Sequence, residues 1–271
     1  MVFLAHGLLG ACSDENANHP GTPDHNTSTP IVKAGHSYSV TRSTHVYAQG
    51  LSHDEWGGEA STPMDILLDL YEPVGAPDNR PALVVIHEGG FKQGSRRGPF
   101  ESRFADYFSA RGWVVASVDY RLTGDRGTIP LDFGNAVNEN VEPAEKEATL
   151  AMYPASRDIK AAIRWLYAHA RTYQINTHHI AVMGGSAGAH LSIMAGISEA
   201  SDYRDELTVE EDETLASTHL DQPSKVAAIL DYAGGLEPLT ILEEVFGRQT
   251  FDETDAPVQI VHGTEDACQW E

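Results

Sequence analysis

Residues 180–188 read Ile-Ala-Val-Met-Gly-Gly-Ser-Ala-Gly. The apolar run 180–183 predicts a short buried strand, and the small residues 187–196 predict a helix that follows it closely. Glycines on both sides of Ser186 permit the sharp turn by which a strand passes directly into a helix. The stretch therefore predicts a strand–turn–helix unit with the Ser186 hydroxyl exposed at its apex.

Strand-like and helix-like segments alternate on both sides of this unit. The patterns predict strands over 37–48, 64–71, 82–86, 113–118, 226–230 and 258–261, and helices over 100–111, 154–172 and 239–246. Pro154 is expected in the first turn of its helix, where proline is well tolerated. Two long loops, 123–153 and 201–225, are expected between these elements. The alternation predicts an α/β fold with a mainly parallel, twisted sheet and helices on both faces.

Composition restricts the class of protein. A chain of 271 residues with 41% hydrophobic content is long enough for one globular domain, and it lacks the run of about 18 apolar residues that a membrane span requires. With 18 Lys and Arg against 40 Asp and Glu, the net charge of −22 argues against nucleic-acid binding. Two cysteines cannot form a disulfide framework, and the scattered histidines match no metal-binding spacing, so no metal or cofactor is expected.

The first 36 residues differ from the rest of the chain. Residues 1–12 are an apolar run ending in Leu9-Gly10-Ala11-Cys12, which resembles the lipobox of bacterial lipoproteins. We expect an export signal with Cys12 as the lipidation site, hence a lipid-anchored protein of the outer membrane or periplasm, or a secreted one. A mis-assigned start or a frayed terminus is the alternative. Residues 13–36 are polar and predict a flexible tether, which leaves 37–271 as the folded domain.

A second motif, His87-Glu88-Gly89-Gly90-Phe91, follows the predicted strand 82–86. Together with residues 184–188, it resembles the α/β-hydrolase family, specifically the hormone-sensitive-lipase-like esterases. The resemblance implies that Ser186 is the nucleophile and that the N–H groups of Gly89, Gly90 and Ala187 form an oxyanion hole. Glu88 departs from the family pattern because it replaces the first glycine, and its charge is expected to disfavour anionic substrates. His87 is expected to order the loop.

Three further segments match the same family. Asp119-Tyr120-Arg121-Leu122 and the segment from Asp158 to Leu166 are expected to be structural, with an Asp/Arg pair supporting the loop beneath the nucleophile. The segment His262-Gly263-Thr264-Glu265-Asp266 implies that Asp266 is the acid of a catalytic triad. Glu265 is the neighbouring candidate, and a chance surface loop is the other alternative.

The family places its catalytic histidine after the acid, and this sequence has none there. All 13 histidines precede Asp266, and the last of them is His262. We therefore expect a chain truncated or frame-shifted near its end, without the last strand and helix and with an exposed sheet edge that favours aggregation. His87 and His262 are alternative bases at the same edge of the predicted sheet, whereas His190 is expected to have a packing or capping role.

The resemblance implies a serine carboxylesterase that acts through an acyl-enzyme on short-chain or carbohydrate-linked esters. Without the histidine, its activity should be strongly reduced, because the serine lacks a base. The expected partner is a small ester. Two alternatives stay open at this point: a serine exopeptidase of the same fold, and a non-catalytic pseudo-enzyme or binding module.

Overall fold

A sheet of seven strands forms the centre of the computed structural model, which describes residues 29–235, 245, 247 and 252–263. The strand order within this described part is β1-β2-β4-β3-β5-β6-β7. β1–β2 and β2–β4 are antiparallel, whereas β4–β3, β3–β5, β5–β6 and β6–β7 are parallel. The strands are β1 Val40–His53, β2 Ser61–Pro73, β3 Arg80–Ile86, β4 Val114–Val118, β5 Ile175–Gly185, β6 Ala228–Tyr232 and β7 Val258–Val261. The predicted mainly parallel α/β fold is confirmed.

Helices cover both faces of the sheet. They are α1 Pro99–Ser109, α2 Leu131–Asn140, α3 Lys146–Ala168, α4 Ala170–Tyr173 and α5 Ala187–Ile197, with a short 3₁₀ helix at Glu213–Ser217. Helix α1 packs on one face against the side chains of Leu83, Val85 and Val115. Helices α3 and α5 pack on the other face, where most of the buried apolar side chains lie. None of the helices in the described part of the chain is long and apolar enough to cross a membrane.

The prediction of a long loop over residues 123–153 was wrong. It contains all of α2 and the first two turns of α3, so that Pro154 lies inside α3 rather than at its start. A proline inside a helix removes one backbone hydrogen bond and costs about 3 kcal/mol. Nearly every side chain of α3 from Thr149 to Leu166 is buried, and this burial outweighs the local preference of proline for a helix terminus.

Other boundaries differ less. β1 runs on to His53, beyond the predicted 48, and β5 begins at Ile175, five residues before the predicted start. Residues 33–34, within the predicted flexible tether, contact the segment that follows α1. The Lys33 N–H donates to the Arg111 carbonyl at 2.9 Å, and Arg111 Nε donates to the Ala34 carbonyl at 3.3 Å. The predicted leader 1–12 with Cys12 lies outside the described residues, as does nearly all of the predicted helix 239–246.

A buried ion pair joins α3 to the segment after β4. Arg121 Nη2 donates to Asp158 Oδ1 at 2.7 Å, and Arg121 Nε donates to Asp158 Oδ2 at 3.0 Å. The backbone N–H of Arg121 also donates to Oδ2 at 2.9 Å. Next to Arg121, the Tyr120 hydroxyl donates to the His87 carbonyl at 3.0 Å. The pair therefore has the structural role expected from the sequence, since it supports the loop that follows β3.

Three cations of α3 hold the acidic segment 198–218 against the core. Arg157 pairs with buried Asp212, and Arg164 Nε donates to the Thr218 carbonyl at 2.7 Å. Lys160 Nζ donates to the Asp202 carbonyl at 3.0 Å, and burial lowers the pKa of this amine to about 7. The acidic segment is therefore docked at these points rather than merely solvating the surface.

Replacing Asp158 by Asn should destabilise the fold by about 3–5 kcal/mol, because Arg121 would keep its buried charge without a counter-ion. Urea unfolding followed by circular dichroism gives the free energy of unfolding. Glu139→Gln, at an exposed position of α2, is the matched control and should change the free energy of unfolding by less than about 0.5 kcal/mol. A loss below about 1 kcal/mol in Asp158→Asn would show that the pair contributes little.

Candidate active site

Ser186 occupies the turn between β5 and α5. Its backbone adopts φ 49° and ψ −118°, which is a strained conformation for a residue with a side chain. The residue is exposed, although both of its neighbours are buried. Its N–H donates to the Tyr232 carbonyl at 3.0 Å, which holds the turn at the carboxyl end of β6. The hydroxyl is therefore presented to solvent at the carboxyl edge of the parallel strands.

Gly184 and Gly188 allow the elements around Ser186 to approach closely. A methyl group on Gly184 would lie 2.2 Å from the carbonyl carbon of Gly188. A methyl group on Gly188 would lie 2.3 Å from the carbonyl oxygen of Ile86, the last residue of β3. Both distances are far below van der Waals contact, so only glycine fits. The first turn of α5 thus lies against the start of the loop 87–94, and the two sequence motifs meet.

The loop 87–94 has a backbone that requires glycine. Gly89 adopts φ +119°, and a methyl group on it would lie 2.0 Å from the Gln93 carbonyl oxygen. Gly90 adopts φ +62° and is exposed. Ala187 is the first residue of α5, and a helix leaves the N–H groups of its first turn without intrahelical partners. The structure thus brings the residues predicted to form the oxyanion hole to the same edge of the sheet as Ser186.

His87 orders this loop, as expected. Its side chain is buried, with Nδ1 2.7 Å from the Glu88 carbonyl oxygen. The ring stacks on Tyr120 with a centroid distance of 4.1 Å. Burial lowers the pKa of the imidazole. The ring is engaged on its face and at Nδ1 within the loop, which is the loop-ordering role expected of it.

Glu101 supports the same loop from α1 and was missed by the sequence analysis. Its side chain is 2% exposed. Burial raises the pKa of its carboxyl group, with a smaller contribution from the charge of Glu88, and hydrogen bonds from the backbone N–H groups of Glu101 and Glu88 partly offset the rise. A glutamate after Pro99 at a helix start is ordinary in sequence, because acidic residues favour the first turn. Nothing in the local pattern indicates its burial.

A second missed carboxylate, Asp231, lies at the end of β6. Its Oδ1 accepts a hydrogen bond from the Gly234 N–H at 2.7 Å, and burial raises its pKa. His262 Nε2 lies 2.9 Å from the Gly234 carbonyl oxygen, and the charges of His262 and His190 act on Asp231. His262 and Asp231 thus both hydrogen-bond to the backbone of the turn after β6.

Asp266 and Glu265 lie outside the described residues, and the assignment of the triad acid stays a prediction.

One end of an aromatic groove lies near Gly185, the residue before Ser186. A methyl group on Gly185 would lie 3.6 Å from the Phe100 ring, which lines the groove, and 3.6 Å from Glu88 Oε2, which is not among the lining residues. The groove, a cavity of about 490 Å³, extends between α1 and the end of β6. It is lined by Pro99, Phe100, Arg103, Phe104, Tyr107 and Tyr232. Gly185, next to the nucleophile candidate, therefore lies beside one wall residue of a cavity that is large enough for part of a small organic ligand.

Comparison with known proteins identifies the family. The model of the family BD-FAE matches residues 68–133 and 141–249, which include α3, Ser186 and the end of β3. The chain belongs to the BD-FAE family. Matches to two curated proteins of Mycobacterium tuberculosis agree with this assignment. The chain is 29% identical to the probable carboxylic ester hydrolase LipM over 121 residues, and 31% identical to the esterase LipC over 136 residues.

Coverage differs between the two kinds of relative. The LipM match takes in 44% of this chain and 22% of LipM, and the LipC match 49% of this chain and 27% of LipC. The BD-FAE chain thus spans about a quarter of each curated relative. A butyrate-bound esterase of Thermogutta terrifontis superposes with a TM-score of 0.56 at 22% identity, over 83% of this chain and 73% of that one. The same esterase phosphoramylated by tabun superposes with a TM-score of 0.54 at 24% identity, over 84% of this chain and 73% of that one. The fold is that of the α/β-hydrolases.

Replacing Ser186 by Gly should stabilise this BD-FAE chain by about 1 kcal/mol, because glycine relieves the strain at φ 49°. Chemical unfolding measures the change. Ser102→Gly, within α1, is the control, and it should lower the free energy of unfolding by about 0.5–1 kcal/mol, since glycine weakens a regular helix. Equal destabilisation in both variants would mean that the turn at Ser186 carries no strain.

Replacing Glu101 by Gln should change how stability depends on pH. Because burial raises the pKa of Glu101 in the folded chain, the unfolded chain releases this proton first, and stability falls as pH rises above the unfolded value of about 4.5. Because Glu101→Gln lacks this loss of stability, the difference between its Tm and the Tm of the native chain should grow from pH 4 to pH 8. Differential scanning fluorimetry measures the difference. For the exposed control Glu139→Gln the difference should stay constant, and a constant difference for Glu101→Gln would contradict the prediction.

Proposed function

We propose that this chain is a serine carboxylic-ester hydrolase that acts through an acyl-enzyme on Ser186. One observation carries the proposal: an exposed serine on a strained turn adjoins a glycine loop whose backbone adopts positive φ angles. The relatives named as carboxylic ester hydrolase and esterase support the reaction class. The positive end of the α5 dipole, directed at the same point, would favour developing negative charge.

The proposed reaction has two stages. Ser186 Oγ attacks the ester carbonyl carbon and gives its proton to a base, while the N–H groups of Gly89, Gly90 and Ala187 hold the oxyanion of the tetrahedral intermediate. The intermediate collapses, and the alcohol leaves with a proton. Water then attacks the acyl group on Ser186 and releases the carboxylic acid by the same route. Asp266 is the proposed acid that would orient a histidine base.

Short acyl chains are the proposed substrates, on simple or carbohydrate-linked alcohols. The structural neighbour from Thermogutta terrifontis was solved with butyrate bound, which supports a small acyl site in this fold. The proposal also retains the leader 1–12 with lipid attached at Cys12, which would place the esterase at a membrane surface.

Turnover by these 271 residues should be slow. His87 is engaged at Nδ1 and on its ring face, and His262 Nε2 is held at the Gly234 carbonyl. An enzyme of this class that lacks its base loses several orders of magnitude in rate and keeps part of its catalysis through the oxyanion hole. A longer product of the same gene that supplies a histidine after Asp266 should be faster.

In the longer gene product that supplies the histidine, Ser186→Ala should lower hydrolysis of p-nitrophenyl butyrate by at least about 100-fold, because the acyl-enzyme cannot form. Intact-mass spectrometry after a short incubation should detect one butyryl group on the native chain and none on the variant. Ser192→Ala is the matched control, since Ser192 is buried on the same helix and donates to the Gly188 carbonyl. It should retain the adduct.

Two results would contradict the proposal. A butyryl group on the variant, or on a residue other than Ser186, would exclude this serine as the nucleophile. A folded native chain with neither adduct nor turnover, also in its gene-extended form, would instead support a non-catalytic binding module.

A further inference from the structure

Glu88 places a charge beside the candidate nucleophile. The residue is exposed, and its Oε2 lies 3.6 Å from the point where a side chain on Gly185 would begin. Gly185 directly precedes Ser186, and consecutive Cα atoms are about 3.8 Å apart, so the carboxylate lies within about 9 Å of the Ser186 Cα. At that distance the carboxylate can act on a charge carried by either part of an ester bound at Ser186.

Aromatic rings face the same space. The Phe100 ring lies 3.6 Å from the same point on Gly185, and its centroid is 5.9 Å from that of Tyr232 with the planes tilted by 49°. The Tyr232 side chain is 49% exposed, so its ring is available to a ligand. Ring faces attract cations that approach within about 6 Å of the centroid.

Arg103 is the charged residue that lines the groove, whereas Glu88 lies outside its lining, at the end where Phe100 approaches Gly185. Arg103 is on α1, three residues after Phe100 and therefore about 4.5 Å further along the helix axis. Helix α1 starts near the carboxyl edge of β3 and returns toward the other edge to enter β4, so each turn leads away from Ser186. Glu101, next to Phe100, is buried beneath the loop and adds no positive charge.

We infer that Glu88, Phe100 and Tyr232 form a subsite for the cationic head group of an ester, of the quaternary ammonium type. The inference rests on the proposed function and specifies its substrate class. A carboxylate and two aromatic rings complement a methylated ammonium group, which binds ring faces and gains from a nearby negative charge. Anionic esters are disfavoured at the same place, and the net charge of −22 adds to this selection.

The test compares two esters of the same shape, acetylcholine and its neutral analogue 3,3-dimethylbutyl acetate. The ratio of their kcat/KM values in one protein cancels any general effect on catalysis. Glu88→Gln should lower this ratio by about 5- to 10-fold, as expected for a solvent-screened charge a few ångströms from the cation. Arg103→Gln, which removes the positive charge that lines the groove, is the matched variant of opposite sign and should raise the ratio.

A binding measurement separates this inference from the proposed function. Choline chloride is titrated into the Ser186→Ala protein with and without Glu88→Gln, and followed by ligand-observed NMR. Binding that Glu88→Gln weakens by at least about 5-fold would support the subsite, even if neither ester is hydrolysed and the proposed function fails. Hydrolysis with a ratio that Glu88→Gln does not change would overturn the subsite and leave the esterase intact. Absent choline binding, or binding indifferent to Glu88→Gln, would also overturn it.

Discussion

The contact between Gly188 and the Ile86 carbonyl is the constraint on which the site depends. A methyl group at residue 188 would lie 2.3 Å from that oxygen, so the first turn of α5 can reach the end of β3 only without a side chain there. This approach brings Ser186 and the loop 87–94 to one place. A larger residue would move the helix away from the strand and separate the hydroxyl from the glycine amides, although the sheet could still form.

Buried polar groups hold the other side of this arrangement. Asp158 binds Arg121, and the neighbouring Tyr120 both donates to the His87 carbonyl and stacks on the His87 ring. Buried charges and hydroxyls are tolerated only where partners satisfy them, and each such partner restricts the geometry of the next. The loop conformation is therefore set from α3 in two steps, from Asp158 to Arg121 and from the neighbouring Tyr120 to His87, in addition to the loop's own glycines.

The sequence predicted those features that a single residue type determines locally. Glycines on both sides of Ser186 indicate an unusual backbone whatever surrounds them, and the structure has that backbone. Pro154 misled the prediction because burial along α3 outweighs its local preference. The burial of Glu101 and Asp231 could not be predicted, since the atoms that cover each carboxyl come from elements distant in sequence. Asp266 lies outside the described residues, so its assignment still rests on the family resemblance.

Glu88 in the loop and Gly185 at the end of β5 are explained together. Residue 88 carries a carboxylate, and residue 185 carries no side chain at all. A methyl group at residue 185 would be only 3.6 Å from Glu88 Oε2, so a polar or bulky side chain there would compete with the carboxylate for the same space. A glycine at 185 therefore leaves the exposed carboxylate room beside Phe100, while the buried carboxyl of Glu101 keeps the loop in place. One acidic group thus serves the geometry of the site, and the other its selectivity.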